Sequence, residues 1–295
     1  MDRCKKYNGC IFLISARKNL LKICLEYLNK NYNHQFNYPI LIFYHGKKYD
    51  DIEFQESIRS INSNTKYSFH KVEAKIPEHL EEKDMFWNLP DNNYAKKFSK
   101  SRLGYLHANY FWNNFMNFKE LENFDYLIRI DDDSWFKNKI DFDMFDELDK
   151  NNCYFGTGFT WNSFGPNHLE TRHNLFNWIK NYIDKYKVNV KSKQLKESLD
   201  DKIDNKLFHT LDWNLGNLNI YNRKMFKTKE WEQYNYEFNK IAGGYRYRWG
   251  DIEVIGLFAY IHLDKPLFSL NLKTKDLYDA KLPNTKFIFD EDLNN

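Results

Sequence analysis

The stretch "FDYLIRIDDDSWF", residues 124–136, runs a series of apolar and aromatic residues directly into three consecutive aspartates. Phe124 to Ile130 has the character of a strand buried on both faces, which is the mark of a parallel sheet covered by helices. In an open sheet of that kind ligands bind beyond the carboxyl ends of the strands, and Asp131, Asp132 and Asp133 emerge there. Two carboxylates one residue apart can reach one divalent cation together. A hard ion such as Mn²⁺ or Mg²⁺ takes oxygen ligands and keeps positions open for diphosphate oxygens. That chemistry suits an enzyme whose leaving group is a nucleoside diphosphate. An aspartate-rich turn with no ligand would use the same residues.

Outward from this strand the pattern alternates. Cys10–Ser15, Pro39–Tyr44 and Tyr67–Val72 read as strands, giving a β-α-β-β start with a helix over Asn19–Asn31, where Leu20, Leu21, Cys24, Leu25 and Leu28 share one face. Ser99–Asn117 reads as a long helix turning Leu103, Leu106, Tyr110, Phe111 and Phe115 inward. Another strand is expected at Cys153–Phe159 and another helix at Leu175–Tyr186. The lysine-rich stretch Lys187–Lys206 reads as an insertion or lid. No linker divides the 295 residues, so the reading is one domain, with a nucleotide-sugar-binding half over about 9–150 and an acceptor half over about 151–280.

Composition excludes other classes. Lys and Arg total 44 against 41 Asp and Glu, a net charge of +3 with no basic tract, which argues against nucleic acid as a partner. Cys4, Cys10, Cys24 and Cys153 form no CxxC pair and read as reduced, buried thiols. The apolar run Cys10–Ile14 is too short for a signal or an anchor, so the sequence as it stands reads as soluble and cytoplasmic, with no transmembrane segment.

A second constellation lies at "AGGYRYRWGDIEVIGLFAY", residues 242–260. Gly243 and Gly244 permit backbone geometry closed to other residues before an aromatic and cationic cluster, and Asp251 opens an apolar helix over Ile252–Tyr260. Asp251 can cap that helix, or it can face a sugar or an acceptor hydroxyl. Tyr247, Trp213 and Trp249 can stack on sugar faces or fill the core.

Together these segments resemble the fungal α-1,2-mannosyltransferases of glycosyltransferase family 15, and the resemblance runs in order from about residue 10 to about 270. "SARKN" at 15–19 is similar to the family's Ala-Arg-Asn stretch, "NHQFNYPILIF" at 33–43 to its second strand, and "IPEH" at 76–79 to its Pro-Glu-His. Tyr105 and His107 sit on its Tyr-x-His. "YLIRIDDD" resembles its Tyr-Trp-Arg-Val-Glu-Pro-Asp, which puts Asp131 and Asp133 on the acidic positions and Asp132 on the proline. "GGYRYRWGD" at 243–251 resembles its Gly-Gly-Phe-Phe-Tyr-Glu-Arg-Trp-Gly-Asp, one residue shorter.

The resemblance implies a GT-A fold, a Rossmann-like, mainly parallel sheet flanked by helices. It implies a retaining mannosyltransferase that takes GDP-mannose and a glycan or glycoprotein acceptor, with Asp131 and Asp133 as metal residues. Arg17, Tyr105, His107, Asp131 and Trp249 would bind the nucleotide sugar. The relatives are type II Golgi enzymes, so association with a membrane through a partner is a second reading of location.

Two departures stand out. The family's glutamate in Trp-Ser-Asn-Phe-Glu-Ile falls on Asn219 of "WNLGNLNI", residues 213–220, and an amide cannot serve as a carboxylate nucleophile. Front-face substitution with Asn219 bonding the sugar is the favoured outcome; Asp212 or Asp251 acting instead, and an inactive nucleotide- or carbohydrate-binding protein, are the others. The family's metal-binding histidine has no counterpart in "LFSLNLKTKDLYDA", residues 267–280. A UDP-sugar is the alternative donor.

Overall fold

Alternation along the strands builds the core. In a computed structural model that describes residues 6–89, 92–96, 103–161, 172–200, 211–214 and 217–272, nine strands form. They are β1 (Gly9–Ile14), β2 (Ile40–Tyr44), β3 (Tyr67–Lys71), β4 (Tyr126–Ile130), β5 (Phe155–Thr157), β6 (Thr160–Trp161), β7 (Trp213–Asn214), β8 (Leu218–Asn222) and β9 (Phe268–Ser269). Seven make one sheet in the order β3-β2-β1-β4-β8-β5-β9. Neighbours pair in parallel except at β8, which runs antiparallel to both β4 and β5. The expected mainly parallel sheet is therefore present, with one reversed strand beside the central β4 and contributions from both halves of the chain.

Cys10, Phe12, Ile14, Leu41, Phe43, Leu127 and Tyr221 pack on one face, and Ile11, Leu13, Ile40, Ile42, Ile128, Ile130 and Ile220 on the other. Both faces are dry, which is why these strands read as continuous apolar runs. The helix Lys18–Asn31 covers the second face with Leu21, Cys24, Leu25 and Leu28. Leu103–Asn114 covers the first with Phe111 and Trp112.

Several expectations shift. A helix, Ile52–Arg59, capped by the Asp51 side chain on the Phe54 N–H, joins β2 to β3, as a parallel pair requires. The long helix ends at Asn114 and continues as a 3₁₀ turn over Phe115–Asn117; its expected start at 99–102 lies outside the described residues. Leu106, Phe111 and Phe115 are buried as expected, whereas Leu103 and Tyr110 are half-buried. Within the expected lid, Lys193–Asp200 is helical, with Leu195 buried, and residues 201–206 lie outside the described residues. Among the described residues no helix is long and apolar enough to cross a membrane.

The 243–251 segment is fixed from two sides. Asn113 donates to the Trp249 carbonyl at 3.0 Å and Asn109 to that of Arg248 at 3.4 Å. Trp249 lies against Gly243, where an added Cβ would sit 2.1 Å from the indole ring. The ring is fully buried and cannot swing away. Gly243→Ala is therefore expected to destabilise the protein by about 1–3 kcal/mol through overpacking, read as a lowered Tm; an unchanged Tm contradicts this packing.

Candidate active site

The three aspartates do not share one fate. As the chain leaves β4, the side chains of Asp131 and Asp133 keep 30% and 32% of their surface exposed, while Asp132 has none. Asp132 accepts from Ser15 Oγ at 2.5 Å and from Arg17 Nε at 3.2 Å, and its other oxygen pairs with Arg17 Nη2. The Ser15 hydroxyl in turn meets that of Tyr49 at 2.8 Å. The residue on the family's proline position is thus a buried anchor within the turn that the Ser134 N–H closes on the Asp131 carbonyl. Arg17 also reaches Asp133, Nη1 to Oδ2 at 3.2 Å.

Behind the aspartates sits Arg129. Its side chain, 3% exposed, lies over the Trp112 ring at 3.8 Å, donates to Asp131 Oδ1 at 3.1 Å through Nη2, and pairs with Asp251 through Nη1. It therefore ties the end of β4 to the first turn of the Asp251–His262 helix. Directly across in the β4–β8 register is Asn219, so both side chains share one face of the sheet. Tyr221 is two residues on, and Arg129 and Asn219 both hydrogen-bond its side chain. Asn219 itself is fully buried.

Partial burial, opposed by Arg129 and reinforced by Asp133 and Asp251, raises the Asp131 carboxyl above the usual carboxylate range. Burial also raises Asp251, again against the pull of Arg129. Four carboxyls, Asp131, Asp132, Asp133 and Asp251, meet only the two guanidinium charges of Arg17 and Arg129 among the described residues, an excess of negative charge that a cation relieves. Asp251 does not cap its helix: Gly250 holds that position, and its N–H donates to Glu253 Oε2 at 3.1 Å.

The remaining expected residues divide. Tyr105 accepts from Arg248 at 2.8 Å, with the guanidinium 4.5 Å above its ring. His107 Nδ1 lies 2.8 Å from the Tyr245 hydroxyl, which donates to the Lys75 carbonyl; the imidazole must then carry its proton on Nδ1. Burial, aided by nearby His45, lowers His107 to about 4. Trp249 is fully buried, with its N–H on the His173 carbonyl at 2.9 Å, so neither of its faces is open to a nucleotide. Asp212 is exposed and is tied to the fold by its backbone carbonyl, which accepts from Tyr260 at 2.6 Å. A crevice of about 390 Å³ opens at the opposite end of the Asp251–His262 helix, around His262, Met225 and Tyr186. It contains none of the expected site residues.

The residues present fit a hard cation in part. Among the described residues no cluster of three His, Cys, Asp or Glu side chains forms a ready cation site, and residues 273–280 lie outside them. Asp131 and Asp133 nevertheless offer two half-open carboxylates, the oxygen set that Mn²⁺ or Mg²⁺ prefers. The Asn217 amide and Ser134 hydroxyl beside them are buried without a hydrogen-bond partner among the described residues. Such orphaned groups are what a polar ligand or its water satisfies.

A mainly parallel sheet with one reversed strand and an acidic carboxyl end on β4 is the frame of a GT-A-type nucleotide-sugar transferase. Residues 1–269 match the family described as glycolipid 2-alpha-mannosyltransferase, glycosyltransferase family 15, and the chain belongs to it. It is 21% identical to O-glycoside alpha-1,2-mannosyltransferase homolog 3 of Schizosaccharomyces pombe, over 88% of this chain and 68% of that protein. It is 23% identical to the probable mannosyltransferase KTR4 of Saccharomyces cerevisiae, over 88% of this chain and 58% of that one. It is 22% identical to glycolipid 2-alpha-mannosyltransferase 1 of Candida albicans, over 82% and 55%. The chain thus spans little more than half the length of two of these relatives.

Two solved structures share the fold. Core-mannan synthase A of Aspergillus fumigatus, in a Mn/GDP form, aligns with a TM-score of 0.75 at 17% identity, over 92% of this chain and 75% of that one. Ktr4p of S. cerevisiae in complex with GDP aligns with a TM-score of 0.74 at 19% identity, over 94% and 72%.

Arg129 and Asp132 were not expected as site residues. The signal for Arg129 was a lone guanidinium in the otherwise apolar "YLIRI". For Asp132 no local signal existed, because its partners are more than a hundred residues away.

Two outcomes follow. Arg129→Met leaves Asp251 buried without its cation and is expected to cost about 3–5 kcal/mol in chemical denaturation, part of it recovered by adding Asp251→Asn. For His107, the unfolded chain takes up a proton near pH 6.5 and the folded one only near 4, so its contribution is complete above 6.5 and lost as pH falls toward 4. The stability advantage of wild type over His107→Gln should shrink across that window; an advantage that grows on acidification contradicts the assignment.

Proposed function

We propose that this chain is a retaining, divalent-cation-dependent mannosyltransferase that moves mannose from GDP-mannose to a glycan or glycoprotein acceptor. The observation that carries the reading is the split of the aspartates at the end of β4, with Asp131 and Asp133 half-open and Asp132 turned in to hold Arg17. The Mn/GDP form and the GDP complex named above support the choice of cation and nucleotide. Asp131 and Asp133 would hold Mn²⁺, or Mg²⁺, which when bound supplies positive charge for the diphosphate.

The chain's own residues then position the substrate. Arg129 holds Asp251 at the head of its helix, where the carboxyl can orient a sugar or acceptor hydroxyl. Asn219, inaccessible and bonded within the sheet, serves as a prop for the Arg129–Tyr221 pair rather than as the direct sugar contact expected of it. Asp212 is exposed and bonds through its backbone carbonyl to Tyr260, nine residues along the helix from Asp251, so it gains no role in the transfer step. With no carboxylate at position 219, front-face substitution is the favoured route: the departing diphosphate takes the acceptor proton, and the protein contributes orientation and charge. The amide at 219 also favours a second reading, a protein that binds the nucleotide sugar without turnover.

Calorimetric titration tests the site. GDP binding is expected to require Mn²⁺, to exceed UDP binding, and to fall at least about tenfold in Asp133→Ala, the loss of roughly one charge-assisted contact. GDP affinity indifferent to both Mn²⁺ and Asp133→Ala sinks the proposal, and a preference for UDP replaces the donor.

A further inference from the structure

Arg17 is held in two unlike ways. Its Nε and Nη2 grip the two oxygens of Asp132, a carboxylate with no exposed surface that Ser15 and Tyr49 lock in place. Its Nη1 reaches Asp133 Oδ2 at 3.2 Å, where the carboxylate is 32% exposed. The first contact is a buried, bidentate fork of the geometry that guanidinium and carboxylate make best. The second is a single, partly solvated contact, and pairs of that kind are weak.

We propose that Arg17 is a tethered counter-cation that shares Asp133 with the metal and is passed to the diphosphate. This inference rests on the function proposed above. A divalent cation on Asp133 meets the guanidinium as a like charge, so Arg17 opposes metal binding by itself. A nucleoside diphosphate brings negative charge that both cations can use. Nη1 then leaves Asp133 for a phosphate oxygen while the Asp132 fork stays closed. Asp132 is the positioning residue: it fixes the pivot, and by neutralising part of the guanidinium charge it limits how strongly Arg17 competes for Asp133. The device makes tight metal binding conditional on nucleotide.

The prediction is a pair of opposite shifts, which loss of structure would not produce. In Mn²⁺ titrations followed by electron paramagnetic resonance, Arg17→Gln is expected to bind Mn²⁺ alone about five- to tenfold more tightly than wild type, because a competing charge is gone. The same variant should bind GDP in the presence of Mn²⁺ about tenfold or more weakly. Arg17→Lys keeps the charge without the fork; it should leave affinity for Mn²⁺ alone near wild type and still weaken GDP. Asp132→Asn frees the guanidinium and should weaken both; if that buried variant does not fold, the two Arg17 variants carry the test. Wild type that binds Mn²⁺ with GDP, while Arg17→Gln weakens both ligands or leaves Mn²⁺ alone unchanged, overturns the inference and spares the function. Wild type with no Mn²⁺-dependent GDP binding overturns both.

Discussion

Arg129 is a full positive charge placed inside the central sheet, and desolvating it is costly unless its partners are close and well aligned. Asp131 and Asp251 are those partners, and they belong to the two segments whose meeting creates the site. Without the guanidinium, the buried Asp251 carboxyl and the partly open Asp131 carboxyl would repel each other across the β4 end. With it, the first turn of the Asp251–His262 helix is pinned to the sheet. Trp112 adds a ring face 3.8 Å from the charge, so the cation is enclosed on an aromatic as well as an ionic side.

A second ion-pair system sits beside the first with its polarity arranged differently. Arg17 and Asp132 form a closed unit whose spare N–H reaches toward Asp133. A turn after β4, closed by the Ser134 N–H on the Asp131 carbonyl at 3.0 Å, produces the division: Asp131 and Asp133 stay partly open and Asp132 turns back to Ser15 and Arg17. The site therefore holds four carboxyls next to two guanidinium groups, an arrangement still able to accept a further cation.

The sheet was legible because parallel strands buried on both faces leave long apolar runs, and "ILIFY" and "YLIRI" carry that signature in a few residues. The reversed strand β8 was harder to see. Its sequence, "LNIYN", interleaves polar residues because Asn219 and Tyr221 line the Arg129 face, and the alternation reflects a polar interior rather than a solvent face. Family resemblance marked Asp131, Asp133 and Asp251, and the structure gathers all three around Arg129 and Arg17. It marked Trp249 too, and there packing against Gly243 decides: the indole is a wedge in the core. Asp132 stood on a proline position, and only long-range contacts to Ser15 and Arg17 reveal its place.

The central claim is that these carboxyls and guanidinium groups serve a transfer reaction with retention at the sugar. Its most direct test is incubation of the purified protein with GDP-mannose and an α-mannoside acceptor, with Mn²⁺ or with EDTA, and nuclear magnetic resonance of the product's anomeric centre. The account predicts an α-linked mannose formed only with the divalent cation. A β-linked product, or equal transfer in EDTA, would contradict it.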